Sequence, residues 1–228
     1  MTRTMNARIA GFTFLLYIAV GITTMIVGRS IPDVGGTAAR LASIAEHASI
    51  VRINMMLGFL TGFIALTLGV ALYGITRDED HEIAVLALLC RVVEGASILA
   101  PMFATLGLLW LATEAGTVGD AGSSYALAGL LIKVRTWNVN LAATFFAVGS
   151  TLFCWLLLRG RMIPTSLAWL GVIASVLLVA LLPLQLAAVV SGRITMLMWI
   201  PMAVFEISLA FWLLIKGAGG ERGAAPAF

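Results

Sequence analysis

Charged side chains are scarce in this sequence, and their scarcity argues against a soluble protein. Only 11% of the 228 residues are Asp, Glu, Lys or Arg, whereas a soluble domain carries about 25%. Apolar residues make up 61% of the chain, they are grouped into long runs, and the mean hydropathy is +1.06. The composition therefore predicts an integral membrane protein whose main partner is the lipid bilayer.

Histidine and cysteine are also scarce, with two of each. His47 and His81 lie in polar connections, and Val85 occupies the second histidine position of a zinc-binding H-E-x-x-H motif. Cys90 and Cys154 lie in apolar segments and form no C-x-x-C pair. We therefore expect no metal and no cofactor. Basic residues are scattered without a block that alternates with aromatics, so no nucleic-acid partner is expected either.

Six apolar runs are long enough to cross the bilayer as helices, because one span needs about 20 residues. They cover residues 9–28, 51–75, 83–111, 137–158, 165–190 and 195–216. The predicted fold is all-α: a polytopic membrane helix bundle over 1–216 with about six transmembrane helices, plus one or two interfacial amphipathic helices. A flexible Gly- and Ala-rich tail is expected over 217–228, and a Gly-, Ser- and Thr-rich loop over 112–123.

The segment over 29–50 is polar enough to leave the membrane. Leu41 and Ile44 recur at helical spacing opposite Arg40 and Ser43, which is typical of an amphipathic helix. This pattern predicts either a short helix at the membrane interface or an extension of the second span.

A second ambiguous segment precedes the fourth span. Residues 124–158 are apolar almost throughout, but 35 residues are too many for one span, and Lys133 and Arg135 interrupt the run. We interpret 124–136 as an interfacial helix, with part of a seventh segment as the alternative, and 137–158 as the fourth span.

Basic residues are divided almost evenly between the two ends of the predicted bundle. The end that carries both termini has Arg3, Arg8, Arg77, Arg159, Arg161, Lys216 and Arg222. The other end has Arg29, Arg40, Arg52, Lys133, Arg135 and Arg193. Cytoplasmic loops are enriched in Lys and Arg, with short loops weighing most. Arg8 and the short connection over 159–161 therefore predict that both termini are cytoplasmic.

Three charged residues lie at membrane depth: Arg91 and Glu94 in the third span and Glu206 in the sixth. Each costs about 2.5–3.5 kcal/mol at the centre of a membrane helix, so each should face the protein interior. Arg91 and Glu94 are three residues apart and can pair on one helix face. Counted from one membrane face at 1.5 Å per residue, all three lie about 12–16 Å deep. We therefore expect the third and sixth spans to be neighbours joined by this cluster.

Two functional interpretations of Arg91, Glu94 and Glu206 remain open. In the first, they form a substrate or proton site in a protein that handles a small solute, a proton or a lipid. In the second, they are a structural clasp in a non-catalytic membrane subunit or scaffold. Either protein could form a homo-oligomer or bind a membrane-complex partner. A membrane-embedded enzyme acting on lipid or quinone is a weaker third hypothesis, because the sequence offers no nucleophile or metal site for it.

Small and polar residues at helical spacing are typical of ordinary helix packing in membranes. Four of them are also candidates for lining a cavity: Asn140, Thr144, Thr151 and Gln185. Prolines inside the third, fifth and sixth spans each free a backbone carbonyl and favour a kink. They are Pro101, Pro183 and Pro201.

Several short stretches of the sequence resemble those of a known protein family. They cover 8–11, 52–58, 72–73, 88–96, 156–164 and 206–217. In these stretches the chain resembles the bacterial multi-pass membrane family known as domain of unknown function 4386. The resemblance implies a compact membrane protein of six or seven helices and unassigned function, located in the bacterial cytoplasmic membrane. It implies no catalytic residues.

Overall fold

The computed structural model describes residues 2–32, 34–114, 121–187, 189–190 and 192–219. This part of the chain is almost entirely α-helical and contains no strand, which confirms the all-α prediction. The helices are α1 (Arg3–Arg29), α2 (Thr37–Glu46), α3 (Ala48–Thr76), α4 (His81–Leu99), α5 (Pro101–Thr113), α6 (Ala121–Arg159), α7 (Thr165–Leu186) and α8 (Gly192–Ile215).

Within the described residues, six helical stretches are long and apolar enough to cross a bilayer. Five are single helices, namely α1, α3, α6, α7 and α8, and the sixth is formed by α4 and α5 together. The prediction of a multi-pass membrane bundle with six spans is therefore confirmed. The ten residues of α2 are too few to span. This helix is separated from α3 at His47, so it is a short helix of its own and not an extension of the second span.

The fourth span differs from the prediction. Residues 124–136 do not form a separate interfacial helix; they belong to the continuous, 39-residue α6. At 1.5 Å per residue, α6 is about 58 Å long, against a hydrocarbon core of about 30 Å. No proline interrupts 124–136, and the side chains of Lys133 and Arg135 are exposed. The helix can therefore continue past the membrane core without burying these charges.

The six spans pack in chain order around a closed ring. Helix α1 contacts α3, α3 contacts α4, α4 contacts α6, α6 contacts α7, α7 contacts α8, and α8 returns to α1. The third and sixth spans are consequently on opposite sides of the ring, so the expectation that they are packed neighbours is wrong. Side chains from these two spans can still meet at the centre of the ring.

The ring closes where α1 meets α8, at Gly11. A Cβ atom at this position would lie 2.7 Å from the Ala210 carbonyl oxygen and 2.9 Å from the Leu214 backbone nitrogen. Only glycine lets two helix backbones approach so closely, as is common at membrane helix interfaces. Large apolar side chains such as Phe103 and Ile215, at 81% and 73% exposure, face outwards, as expected of surfaces in contact with lipid.

At the end of the bundle that carries both termini, the chain turns are held by polar contacts. The Asp80 carboxylate accepts the Ile83 backbone N–H and caps α4. Arg159, at the end of α6, forms ion pairs with Glu79 at 3.3 Å and with Asp80 at 3.1 Å. The acidic turn between α3 and α4 is thereby attached to the fourth span.

Of the predicted loop over 112–123, residues 115–120 lie outside the described residues, whereas 112–113 belong to α5 and 121–123 to α6, so the prediction is wrong at both ends of this range. The predicted flexible tail over 217–228 lies largely outside the described residues, which omit 220–228. At the start of the tail, Gly217 has a φ of 74°, a left-handed conformation that commonly ends a helix. The Gly219 N–H then donates to the Met162 carbonyl at 3.0 Å.

Candidate functional site

Arg91 lies at the centre of the ring with a side chain that is 1% exposed. Its Nη1 donates to Glu94 Oε2 at 2.9 Å, and its Nη2 donates to Ser150 Oγ on α6 at 3.1 Å. The guanidinium carbon lies 4.7 Å from the centre of the Phe146 ring, a cation–π distance. The pairing of Arg91 with Glu94 is as predicted from their spacing.

Two glycines flank the stem of Arg91, and the one at position 69 makes room for it. A Cβ atom at Gly69 of α3 would lie 2.8 Å from Arg91 Cβ, and one at Gly149 of α6 would lie 3.7 Å from Arg91 Cγ. The stem of the arginine therefore passes between two helix backbones that carry no side chain at these positions. This close packing holds the guanidinium group in one place.

Glu94 connects Arg91 to the first span. Its Oε2 is paired with Arg91, and its Oε1 accepts a hydrogen bond from the Tyr17 hydroxyl at 3.1 Å. Because Tyr17 comes from α1 and Ser150 from α6, one polar chain of contacts crosses the ring. Sequence reasoning assigned no partner role to Tyr17 or Ser150.

Glu206 enters the same region from α8, and the residue is 7% exposed. It lies within electrostatic range of Arg91 and Glu94. However, it forms no ion pair in the described part of the chain, and its buried Oε1 has no hydrogen-bond partner there. The structure therefore brings the three predicted residues together, but only two of them neutralise each other.

Glu94 and Glu206 line one cavity of about 320 Å³ at the centre of the ring, which we call the inner cavity. Its lining residues are Tyr17, Glu94, Ser97, Ile98, Pro101, Asn138, Val139, Ala142, Ala143, Phe146, Trp199 and Glu206. Apart from the carboxyl groups and a few neutral polar groups, the wall is apolar, and the Phe146 and Trp199 rings are in contact with centroids 5.5 Å apart.

The break between α4 and α5 lies at the wall of the inner cavity. Pro101 has no N–H, so it cannot donate to the Ser97 carbonyl four residues earlier. The Asn138 side-chain amide of α6 donates to that carbonyl instead. The carbonyl freed by the proline is thereby satisfied by a different span.

Replacing Asn138 with Ala should destabilise the protein by about 1–3 kcal/mol, because the buried Ser97 carbonyl would lose its donor. Asn140→Ala is the matched control, since the Asn140 side chain makes no hydrogen bond in the described residues. Melting temperatures of the two variants in detergent would test this. Equal losses would show that the Asn138 contact contributes nothing specific.

A second, larger cavity of about 640 Å³ adjoins the first, and we call it the vestibule. Its lining residues are Thr24, Gly28, Ile31, Pro32, Arg40, Ser43, Ile44, Val51, Asn54, Met55, Ile98, Pro101, Met102, Thr105, Leu108, Ile132, Arg135, Thr136 and Val139. Ile98, Pro101 and Val139 line both cavities. The vestibule lies at the end of the bundle opposite the chain termini, and these shared residues place it next to the cavity that Glu94 and Glu206 line.

The four residues predicted as a cavity lining line neither of these cavities. Asn140, Thr144, Thr151 and Gln185 are half-buried, and the two threonine hydroxyls donate to carbonyls of their own helix. The inner cavity instead uses the face of α6 that includes Asn138. Two residues along a helix correspond to a rotation of about 200°, so the prediction selected nearly the opposite face.

Among the described residues, no group of three or more His, Cys, Asp or Glu side chains is arranged to hold a metal ion. Cys90 and Cys154 are buried, free thiols.

Comparison with known proteins gives a family and no assigned activity. No curated protein and no solved structure matches the chain. A model of the family described as Domain of unknown function (DUF4386) matches residues 9–217, a range that includes α1 from residue 9 onwards, the other five spans and both cavities. The chain therefore belongs to the DUF4386 family of proteins with unknown function.

Proposed function

We propose that this protein handles a small solute, a proton or the polar group of a lipid through the inner cavity, and that Glu206 is the residue that binds it. One observation carries the proposal. Glu206 Oε1 is buried without a hydrogen-bond partner among the described residues, and its side chain lines a cavity that adjoins the vestibule.

The charge balance of the site supports this role. The positive charge of Arg91 is already matched by Glu94 at 2.9 Å, so Glu206 is one carboxyl group in excess. An ionised carboxylate without a partner costs several kcal/mol in a low-dielectric interior. Glu206 therefore needs a proton or a ligand that brings a positive charge or hydrogen-bond donors.

The dimensions of the inner cavity favour a small occupant. Its volume of about 320 Å³ is at the lower end of ligand sites in proteins, which enclose about 300–1,000 Å³. Phe146 and Trp199 provide an apolar wall opposite a few polar groups, a composition typical of small-molecule sites. The adjoining vestibule would be the approach for water or a solute from the opposite end of the bundle.

A scaffold without a ligand is the second candidate, and one observation favours it. The contacts from Tyr17 through Glu94 and Arg91 to Ser150 connect α1, α4 and α6. A clasp of this kind can specify which helices pack together without any transport or chemistry. In that protein, Glu206 would be inaccessible and would have no binding role.

We also propose that the protein lies in a bacterial cytoplasmic membrane with both termini in the cytoplasm. Arg159, Arg3 and Lys216 lie at the end that carries the termini, and α6 and α7 are joined there by a short connection. Short basic connections are retained in the cytoplasm. The vestibule would then face the opposite side of the membrane.

Labelling with dicyclohexylcarbodiimide tests access to Glu206, because this apolar reagent attacks protonated carboxyl groups in apolar surroundings. We expect covalent labelling at Glu206 in the protein reconstituted in lipid, located by peptide mass spectrometry. Glu206→Gln should abolish that labelling. Glu82→Gln, which changes an exposed carboxylate at the start of α4, should leave it unchanged.

The scaffold hypothesis makes the opposite prediction for the same reagent. Absence of label at Glu206 in the correctly folded protein would mean that this residue is not an accessible, protonated carboxyl group and would count against a binding role. As the control for folding, the Glu206→Gln variant should melt at the same temperature as the wild-type protein.

A further inference from the structure

We infer that the vestibule is a second binding site, and that it takes an anionic amphiphile: a phosphate or carboxylate head group with an apolar chain. This inference concerns a different cavity from the one that Glu206 lines and does not depend on the role of that residue. Three properties of the vestibule point to this ligand class: the sign of its charges, the composition of its wall and one buried side-chain oxygen without a hydrogen-bond partner.

The charged groups of the vestibule wall are both positive. Arg40 is supplied by α2 and Arg135 by α6, and no Asp or Glu is among the described residues that line this cavity. The Arg40 Nε donates to the Val34 carbonyl at 3.2 Å, which helps to hold the guanidinium group at the wall. Guanidinium groups match the geometry of phosphate and carboxylate oxygens and bind them with paired hydrogen bonds.

Most of the remaining wall is apolar. Val51, Met55, Met102, Leu108 and Ile132 contribute aliphatic or thioether surface. The three threonine hydroxyls of the wall each donate to a carbonyl of their own helix, which leaves them little capacity to donate to a ligand. A free inorganic anion would satisfy the arginines but would leave this apolar surface uncovered.

Asn54 provides an independent indication of a ligand with a hydrogen-bond donor. It lines the vestibule from α3, and its buried Oδ1 has no hydrogen-bond partner among the described residues. A buried carbonyl oxygen without a donor is unfavourable. A hydroxyl on the head group, such as that of a protonated phosphate or of a glycerol unit, could donate to it.

The short helix α2 places Arg40 over the vestibule. Its Leu41 is buried with Leu108 and Leu111 of α5 and Ala128 of α6. This small apolar cluster fixes α2 against the bundle and brings Arg40 to the same cavity as Arg135. A vestibule of about 640 Å³ has room for a head group and several methylene groups, within the about 300–1,000 Å³ of typical ligand sites.

Calorimetric titration of the full chain in a neutral maltoside detergent would test the inference with four probes. Decyl phosphate and decanoate carry both the anion and the chain, decanol carries only the chain, and inorganic phosphate carries only the anion. We expect saturable binding of decyl phosphate or decanoate at least about tenfold tighter than that of either incomplete probe, which corresponds to about 1.4 kcal/mol. The stronger of the two anionic amphiphiles identifies the source as a phospholipid-type or a fatty-acid-type head group.

Variants then locate the site. Arg135→Gln should weaken binding of the stronger probe by at least about tenfold, and Arg135→Lys should restore part of the loss. Arg52→Gln is the matched control, because Arg52 is an exposed arginine at the same end of the bundle that does not line the vestibule. Melting temperatures equal to that of the wild type would exclude misfolding as the cause.

Three results would overturn the inference. Equal affinity for decanol would mean that the cavity selects only apolar chains, and equal affinity for inorganic phosphate would mean that the chain is not recognised. Equal weakening by Arg52→Gln and Arg135→Gln would mean that surface charge, not the vestibule, attracts the probe.

Discussion

Glu94→Gln is expected to lower the free energy of unfolding by about 3–5 kcal/mol, because removing one partner of a buried ion pair leaves the other without its directly bonded counterion. The remaining charge would be Arg91, whose side chain is 1% exposed and has no other ion-pair partner in the described residues. Reversible unfolding in detergent or in bicelles would measure the loss. Glu82→Gln, at an exposed position in the first turn of the same helix, is the control and should change stability little.

A double-mutant cycle separates the ion pair from its surroundings. Arg91→Gln combined with Glu94→Gln should cost less than the sum of the two single changes, because the double variant leaves neither member of this ion pair without its partner. The coupling between Arg91 and Glu206 should be smaller, since these residues form no ion pair. Additive effects for Arg91 and Glu94 would show that the 2.9 Å contact is not a stabilising pair.

Gly11→Ala should also be strongly destabilising, for a steric reason. The added Cβ would lie 2.7 Å from a backbone oxygen and 2.9 Å from a backbone nitrogen of α8, and a backbone cannot rotate away as a side chain can. Helices α1 and α8 would have to separate, at a cost of about 1–3 kcal/mol for overpacking of this kind. Because α1 and α8 close the ring, the melting temperature should fall.

Gly21→Ala is the matched control for this change, because it lies in the same helix and a Cβ there would meet nothing within 4 Å. Both variants gain the intrinsic preference of Ala over Gly for helices. The difference between their melting temperatures therefore isolates the steric effect. Equal melting temperatures of the two variants would contradict the close approach of the α1 and α8 backbones at Gly11.

Much of the site could be inferred from the scarcity of charge. In a chain with so few charged residues, Arg91, Glu94 and Glu206 stand out because insertion of each one into the membrane is costly. Their spacing along helices predicted the Arg91–Glu94 pair and the common depth of all three. These inferences depend only on helical geometry, which is the same in every membrane helix.

The partners of these residues could not be predicted in the same way. Tyr17, Ser150 and Asn138 look like ordinary polar residues of membrane helices, which usually serve packing. Asn138 and Asn140 are two residues apart, and choosing between them requires the rotation of α6 about its axis. The one signal present was Pro101, which frees the Ser97 carbonyl and therefore demands a donor from a neighbouring span.

The vestibule was not predicted, because its two arginines were interpreted only as indicators of the orientation of the chain in the membrane. Arg40 and Arg135 lie about 95 positions apart in the sequence, and each alone is typical of a basic residue at the end of a span. Only the packing of α2 against α5 and α6 brings them to one cavity.

The sequence by itself determined that the chain is a multi-pass membrane protein, the number of its spans and the layer of charge at their centre. These properties follow from transfer free energies and from the length of helix that crosses a bilayer, and both are local along the chain. The tertiary structure decided the order of the spans around the ring, the continuity of α6 and the pairing that leaves Glu206 in excess. These features are controlled by the rotation of each helix about its axis and by close approach at glycines such as Gly11 and Gly69. Rotation and close approach depend on contacts between distant parts of the chain.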